Sequence, residues 1–164
     1  MHPLVEEAMK KAAVAWLTVG DNRAYPVWCV WLDGALHVVG DGAGEQPLPG
    51  LATASRAAVT ARGDHGGRVV TWPAQVHRLR PGDEAWTAVV PQLAAKRLNG
   101  PGGEELARRW ESPEVLVCRL TPDGDPVEAG PTLPDTSLSA PVPETPAVHR
   151  VRRPFRLHRV RKRP

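Results

Sequence analysis

The sequence contains little cysteine, a single Phe and a single Tyr, and no long apolar run. Cys29 and Cys118 are far apart and form no CxxC pair, so the sequence indicates neither a disulfide framework nor a thiolate metal motif. No stretch approaches the roughly 20 apolar residues that cross a bilayer. Glu6 and Glu7 precede the first apolar run and no basic region does, so no signal peptide is predicted. We therefore expect a soluble, cytoplasmic protein with two free thiols.

Common catalytic motifs are also missing. The sequence contains no HExxH, no GxSxG, no P-loop and no GxGxxG after a strand. The six His residues are dispersed and no zinc-ligand spacing occurs, so no metal site is predicted. No side chain stands out as a general acid or base. The residues therefore leave open whether the protein is an enzyme and, if so, which reaction it catalyses.

Positive charge is concentrated at the C-terminal end. Residues 149–164 hold eight Lys or Arg and no acid. The other 148 residues hold 13 basic and 18 acidic side chains, a net charge of −5, although the whole chain carries +3. The net charge is thus no evidence that the folded part binds nucleic acid.

Apolar and β-branched runs bounded by turn residues predict a mainly β domain. The predicted strands are Ala13–Val19, Tyr25–Leu32, Ala35–Val39, Arg56–Arg62, Arg68–Arg80 and Val115–Leu120. Between the second and third strands lies Asp33-Gly34, a pair typical of a type I′ hairpin turn. Residues 40–50 are rich in Gly and Pro and predict irregular structure, with one helical turn following at Leu51–Ser55.

Helices are predicted at three places. The first covers Leu4–Ala12, where acids precede bases as the helix dipole favours. The second begins after Asp83, its expected N-cap, and Pro91 should kink or divide it. A short third helix covers Glu104–Trp110. The apolar stripe of the second helix consists of Trp86, Val89, Val90, Leu93, Ala94 and Leu98.

The composition changes after residue 124. Prolines then recur among Ser, Thr, Gly and Ala with few large apolar residues, and such a segment buries too little surface to offset the entropy of ordering it. The expected organisation is a folded domain over residues 1–124 and a disordered Pro-rich linker with a basic tail over residues 125–164.

The order of elements resembles the split β-barrel of the pyridoxamine 5′-phosphate oxidase-like FMN-binding proteins. The segments that carry the resemblance are AWLTV, PVWCVWLDGALHVV, LATASRAAVTARGDHGGRVVTWPAQVHRL and AWTAVVPQLAAKRLN. The resemblance covers about residues 4–122. It implies a split β-barrel with flanking helices and a homodimer that binds FMN between two barrels, with a role as an oxidoreductase of unknown substrate.

The resemblance also implies candidate cofactor-binding residues. Phosphate contacts would come from Gln46, Arg56, Arg62 and Arg68. The isoalloxazine side would be lined by Val38, Val39 and Gly40, and Trp72 would stack on a ring or cap the cleft.

This chain departs from the family pattern just after the third strand. Many relatives carry a Ser or Thr and a Lys there, whereas this chain has Gly44-Glu45-Gln46-Pro47-Leu48-Pro49. An acidic Glu45 beside a phosphate is unfavourable unless it points away. The alternatives to FMN are therefore a deazaflavin, haem or no cofactor at all. The alternative function is that of a cofactor-free dimer with a binding or regulatory role.

Two further features have more than one interpretation. Trp16, Trp28, Trp31, Trp86 and Trp110 fit the core or a dimer interface better than a cofactor site, because large rings on apolar faces contribute chiefly through burial. The basic tail is either a solubilising extension or a segment that binds nucleic acid or an anionic surface through charge.

Overall fold

The computed structural model describes residues 2–97, 100 and 103–134. Within them the chain forms three α-helices and seven β-strands, with two short 3₁₀ turns at Leu51–Thr53 and Gly130–Thr132. In chain order the elements are α1 (Pro3–Lys11), β1 (Val14–Thr18), β2 (Tyr25–Leu32), β3 (Ala35–Gly40), β4 (Arg56–Arg62), β5 (Arg68–Leu79), α2 (Glu84–Lys96), α3 (Gly103–Trp110), β6 (Leu116–Pro122) and β7 (Glu128–Ala129).

Six of the strands close into an antiparallel barrel. Their order is β4-β1-β2-β3-β6-β5, and a further pairing of β4 with β5 completes the ring. The mainly β barrel with flanking helices that the sequence predicted is thus confirmed. Closure gives each of these six strands a paired neighbour on both sides, although the first part of β5 extends beyond the end of β6.

The β2–β3 hairpin follows the predicted turn chemistry. Asp33 and Gly34 have φ angles of 47° and 73°, both in the left-handed region that a type I′ turn requires. Leu32 therefore faces Ala35 across the turn, and the register carries on to Cys29 opposite Val38. The pairing places the outward side chains of β2 and β3 side by side.

Helix α2 differs from the sequence expectation in two details. It runs unbroken past Pro91, so the proline does not divide it; the buried Val89, Val90 and Leu93 hold the helix on the sheet despite the lost hydrogen bond. Asp83 occupies the N-cap position, but its carboxylate accepts the Arg80 N–H at 2.8 Å instead of capping the helix. The predicted stripe residue Leu98 lies outside the described residues.

Two apolar clusters stabilise the fold. One fills the barrel interior and includes Leu17, Leu36, Val59 and Trp72. The other lies between α2, α3 and the outer face of β2, β3, β5 and β6, and includes Trp110. The side chains of Cys29 and Cys118 also lie in the barrel interior, and burial raises the pKa of both thiols to about 12. Neither thiol is therefore a candidate nucleophile.

The chain stays in contact with the barrel after residue 124. The Val127 N–H donates to the Thr71 carbonyl at 2.8 Å, and β7 pairs with β5. The first residues of the predicted linker thus include a short strand, because β5 extends past the end of β6 and β7 pairs with its backbone there. The domain boundary at residue 124 stays a prediction, and the rest of the linker and the basic tail lie outside the described residues.

Candidate functional site

Helices α2 and α3 cover only part of the outer barrel surface. The register of β1 aligns Val14 with Trp28 and Trp16 with Pro26 on β2, and Trp16 with Thr60 on β4. All five side chains therefore point to the same outer side, away from the barrel interior. Trp16 and Trp28 are half-buried diagonal neighbours, and Val14 between them is 39% exposed. We call this surface, formed by Val14, Trp16, Pro26, Trp28 and Thr60, the tryptophan face.

An arginine lies over each of the two rings. The Arg62 guanidinium carbon is 4.1 Å from the centre of the Trp16 ring, and that of Arg97 is 5.1 Å from the centre of the Trp28 ring. A cation over an indole ring is attracted by the negative face of the π system. The tryptophan face thus carries two positioned guanidinium groups, one on each side of Val14.

The surroundings of Arg62 leave its charge available. Its Nε is buried without a hydrogen-bond partner, and within the part of the chain that the structure describes no carboxylate lies within ion-pair distance of its guanidinium. Arg62 lines a cavity of about 330 Å³ between α1 and the β4–β5 turn, together with Lys11 and the two acids Glu7 and Asp64. Lys11 is itself paired with Glu7 at 2.8 Å on the exposed side of α1.

A second cavity of about 460 Å³ lies on the Trp28 side of Val14. The loop after β3 contributes Gly44, Glu45 and Gln46, and Arg97 closes the cavity from the end of α2. Arg97 Nη2 lies 3.2 Å from Glu45 Oε2 and donates to the Gly44 carbonyl at 3.2 Å. Glu45 Oε2 accepts no hydrogen bond from Arg97, but the ion pair keeps the two charges close together in a largely buried position.

Glu45 is fixed from a second direction. Its Oε1 accepts a hydrogen bond from Trp110 Nε1 at 3.0 Å, and Arg109 Nη2 donates to the Ala43 carbonyl at 2.9 Å. The loop after β3 is therefore attached to α2 through Arg97 and to α3 through two side chains. The buried Glu45 side chain explains how an acid is tolerated here, because it points toward the helices and a cation.

The predicted phosphate-binding arginines do not converge within one chain. Arg56 and Arg62 lie at opposite ends of β4, about 20 Å apart at the rise of a β-strand. Arg56 is paired with Asp123 at 2.9 Å and is 76% exposed. Arg62 is opposite Arg68, whose guanidinium is paired with Glu128 at 3.3 Å. Of the four predicted phosphate contacts, Arg62 lines the cavity between α1 and the β4–β5 turn, and Gln46 lines the cavity beside Trp28.

Glu128 also joins a line of hydroxyl groups. It accepts a hydrogen bond from Thr71 Oγ1 at 3.1 Å, and Thr71 Oγ1 is 2.9 Å from Thr60 Oγ1 on the tryptophan face. These contacts connect β4, β5 and β7 across the outer surface. Arg68 therefore has an acid beside it, and its charge is largely balanced within the chain.

The remaining predicted cofactor-binding residues are internal in the single chain. Trp72 is fully buried in the barrel and meets Trp31 edge-on, with ring centres 6.2 Å apart. No face of its ring is open to a ligand. Val38 points into the barrel, and Val39 lies on the outer surface beneath the helices. A side chain at Gly40 would meet Leu48, so this glycine lets the loop close onto the strand.

Sequence reasoning missed two polar residues that the structure brings into largely buried positions, Arg97 and His37, and it named Glu45 without its partner. Arg97 and Glu45 are distant in sequence and carried no motif that could have paired them. His37 alternates with apolar residues on β3, a signal of burial rather than of chemistry. Burial first, and then the nearby Arg119 charge, lower the pKa of His37 to about 4, while a hydrogen bond with the Val30 backbone and the charge of Asp33 oppose the shift.

The described residues show neither a metal-ligand cluster nor a membrane-spanning helix. Over residues 2–97, 100 and 103–134, no three His, Cys, Asp or Glu side chains come together as ligands. Over the same residues no helix has the length and apolarity needed to cross a bilayer.

Solved structures with the same fold identify the architecture. The heme storage protein HutZ from Vibrio cholerae is 15% identical to this chain, with a TM-score of 0.57 over 76% of this chain and 92% of that one. A Listeria innocua protein ascribed to pyridoxamine 5′-phosphate oxidase is 15% identical, with a TM-score of 0.50 over 73% and 91%. ChuZ from Campylobacter jejuni is 10% identical, with a TM-score of 0.53 over 71% and 50%.

These likenesses define the class: the chain has the split-barrel fold of the pyridoxamine 5′-phosphate oxidase-like proteins, and the resemblance found in the sequence is confirmed at the level of the fold. No protein-family model matches the chain. No curated protein sequence matches it either.

Proposed function

We propose that this chain is a flavin-binding split-barrel protein in which two copies meet over the tryptophan face and FMN occupies the crevice at that interface. The flavin ring lies against Trp16 and Trp28, and its phosphate lies beside Arg62. The single observation that supports this most strongly is Arg62, whose guanidinium has no acid within ion-pair distance among the described residues, lies over the half-buried Trp16 ring and lines a cavity.

The dimensions of the face suit such a ligand. Continuing the β1–β4 register places Arg62 opposite Val14, and Val14 is opposite Trp28 on the other side. Trp28 and Arg62 are therefore two strand spacings apart, about 10 Å. A planar aromatic group with an anionic tail can contact both, the ring by stacking and the tail by a charge-assisted hydrogen bond.

The chain's own residues would bind and orient the cofactor. FMN, when bound, supplies electron-transfer chemistry that no side chain of this site provides. Arg62 Nε is a buried donor without a partner, and occupying it would remove the cost of that unsatisfied group. A second copy over Trp16 and Trp28 would exclude water from the ring. These roles make the protein a candidate oxidoreductase without assigning its substrate.

A second candidate is a split-barrel dimer without cofactor that acts by binding. It is favoured by the arginines other than Arg62 that surround the predicted site. Arg56 is paired with Asp123, Arg68 with Glu128 and Arg97 with Glu45. Cations that are already neutralised contribute little to holding a phosphate.

Titration with FMN separates the two candidates. The purified protein is examined by its visible spectrum, and FMN is titrated while flavin fluorescence is followed. We expect quenching with a micromolar Kd, and Arg62→Ala should weaken binding at least tenfold because it removes the unpaired cation. Absence of both absorption and quenching would reject the flavin proposal and leave the cofactor-free dimer.

Arg23→Ala is the matched control. Arg23 is an exposed arginine that also lies over an aromatic ring, 4.9 Å from the centre of Tyr25. It lines neither of the two cavities beside the tryptophan face. Its loss should leave the Kd within twofold. Parallel titrations with haem and a deazaflavin identify the cofactor, since tighter binding of either one would replace FMN in the proposal.

A further inference from the structure

We propose that Glu45 is a specificity determinant that closes the cavity beside Trp28 to anions, so that this cavity takes an uncharged planar group. The part of this inference that concerns a planar group rests on the proposed function. It assigns different ligand chemistry to the two sides of Val14. Arg62 receives the negative charge of a ligand, and the cavity beside Trp28 receives its neutral portion.

The cavity beside Trp28 has the size and lining of a site for a fused ring system. Its volume of about 460 Å³ lies in the range of small-molecule sites. Trp28 provides an aromatic wall, Pro26 and Pro47 provide rigid apolar contacts, and the Gln46 amide provides a neutral hydrogen-bonding group. Arg97 and Glu45 are the only charged side chains among the described residues that line it.

These two charges cancel. Glu45 Oε2 lies 3.2 Å from Arg97 Nη2, and their side chains are only 3% and 11% exposed. Solvent therefore screens the pair weakly, and a second anion near Arg97 would be repelled by the carboxylate that already occupies its side. An incoming phosphate cannot simply displace Glu45, because Trp110 Nε1 holds the other oxygen of that carboxylate at 3.0 Å.

Arg62 provides the internal comparison. Both guanidinium groups lie over tryptophan rings, at 4.1 Å for Arg62 and 5.1 Å for Arg97. They differ in having an acid within ion-pair distance, which Arg97 has and Arg62, within the described part of the chain, has not. Glu7 and Asp64 also line the cavity of Arg62, but Glu7 is paired with Lys11 and neither acid is paired with Arg62. In this proposal, a carboxylate held at the guanidinium itself, and not the mere presence of a cation or of more distant acids, determines which arginine accepts an anion.

Glu45→Gln tests this directly, with inorganic phosphate as the probe. Gln keeps an oxygen for Trp110 and nearly the same volume but removes the charge. We expect the Kd of phosphate, measured at low ionic strength from the ³¹P line width, to fall at least tenfold. Adding Arg97→Gln should abolish the gain, and adding Arg62→Ala should not. No gain, or a gain that survives the loss of Arg97, would overturn the proposal.

Two measurements avoid the Glu45 variant in case it fails to fold. In the otherwise unchanged protein, Arg62→Ala should remove phosphate binding; residual binding that Arg97→Gln then abolishes would overturn the proposal. Lumichrome, an uncharged flavin ring, should bind and be quenched, and Trp28→Ala should weaken it at least fivefold whereas Arg62→Ala leaves it within twofold. Failure of lumichrome to bind would also overturn the proposal.

The outcomes distinguish this inference from the proposed function. If FMN does not bind but Glu45→Gln gains phosphate affinity through Arg97, the flavin proposal fails and the role of Glu45 stands. If FMN binds but Glu45→Gln gains nothing, the flavin proposal stands and this inference fails.

Discussion

The outer surface of the barrel has two parts that use the same residue types differently. Under α2 and α3, Val30, Val39, Leu79 and Val117 of β2, β3, β5 and β6 are buried, and the polar Glu45 and His37 are buried as well. On the tryptophan face, the rings of Trp16 and Trp28 are as large as that of the buried Trp110 but are only half-buried. The difference teaches that large aromatic residues in a β sequence do not by themselves mark a core. Whether such a residue belongs to the core depends on whether a helix packs over its strand.

The largest expected effect comes from comparing tryptophans. Trp72→Ala should lower the free energy of unfolding by about 3–5 kcal/mol, because it empties a fully enclosed part of the barrel. Trp16→Ala should cost about 1 kcal/mol, since its half-buried ring loses chiefly the contact with Arg62. Urea denaturation at low chain concentration measures both. Equal losses would show that Trp16 is enclosed as completely as Trp72.

The next largest effect is a pH dependence of the free energy of unfolding, which arises from the buried His37. His37 has a pKa of about 4 in the fold, below the ordinary 6.5, so it is neutral there. As the pH falls from about 6.5 to 4, the unfolded chain binds a proton that the folded chain refuses, and stability declines. The loss by pH 4 should reach about 3 kcal/mol at 1.36 kcal/mol per pKa unit.

Denaturation at a series of pH values tests this, with two variants. His37→Leu should flatten the profile between pH 6.5 and 4. His77→Gln is the control, because His77 lies in the same cross-strand row, opposite Arg119, but is exposed. A profile that His77→Gln flattens and His37→Leu does not would contradict the assignment.

The smallest effect concerns the ion pairs that attach residues beyond β6. Glu128→Gln should cost about 1 kcal/mol, because the carboxylate contacts both Arg68 and Thr71 in a partly buried position. Arg56→Ala should change stability by less than about 0.5 kcal/mol, since its pair with Asp123 is solvent-screened. Thermal denaturation resolves the two, and a larger loss for Arg56→Ala would reverse the ranking.

Much of the fold was predictable because its signals are local. The strands Tyr25–Leu32 and Arg56–Arg62 have the predicted bounds, and the turn at Asp33-Gly34 has the positive φ angles that its residues favour. The undivided α2 was not predictable from Pro91 alone, because tertiary packing outweighs one missing hydrogen bond. β7 was missed for a related reason: its two residues pair only because the edge of β5 is within reach.

The candidate site was predictable only in part. The family resemblance made Gln46 a candidate by its position after the third strand and Arg62 by its position on the fourth strand, and the structure places both at cavities; their role in binding stays a prediction. The sequence could not show that Arg56 lies about 20 Å from Arg62 along one strand and pairs with Asp123. Nor could it show that Trp72 points inward whereas Trp16 points outward, since a strand alternates its faces without indicating which one is covered.

The sequence by itself determined the mainly β architecture, the hairpin and the concentration of positive charge in residues 149–164, because turn chemistry, side-chain periodicity and composition act over short stretches of chain. Only the tertiary structure decided which cations are neutralised. Arg97 meets Glu45 across 52 positions of sequence, and Arg68 meets Glu128 across 60. Electrostatic energy depends on distance through space and on burial, and neither quantity can be read from the order of residues.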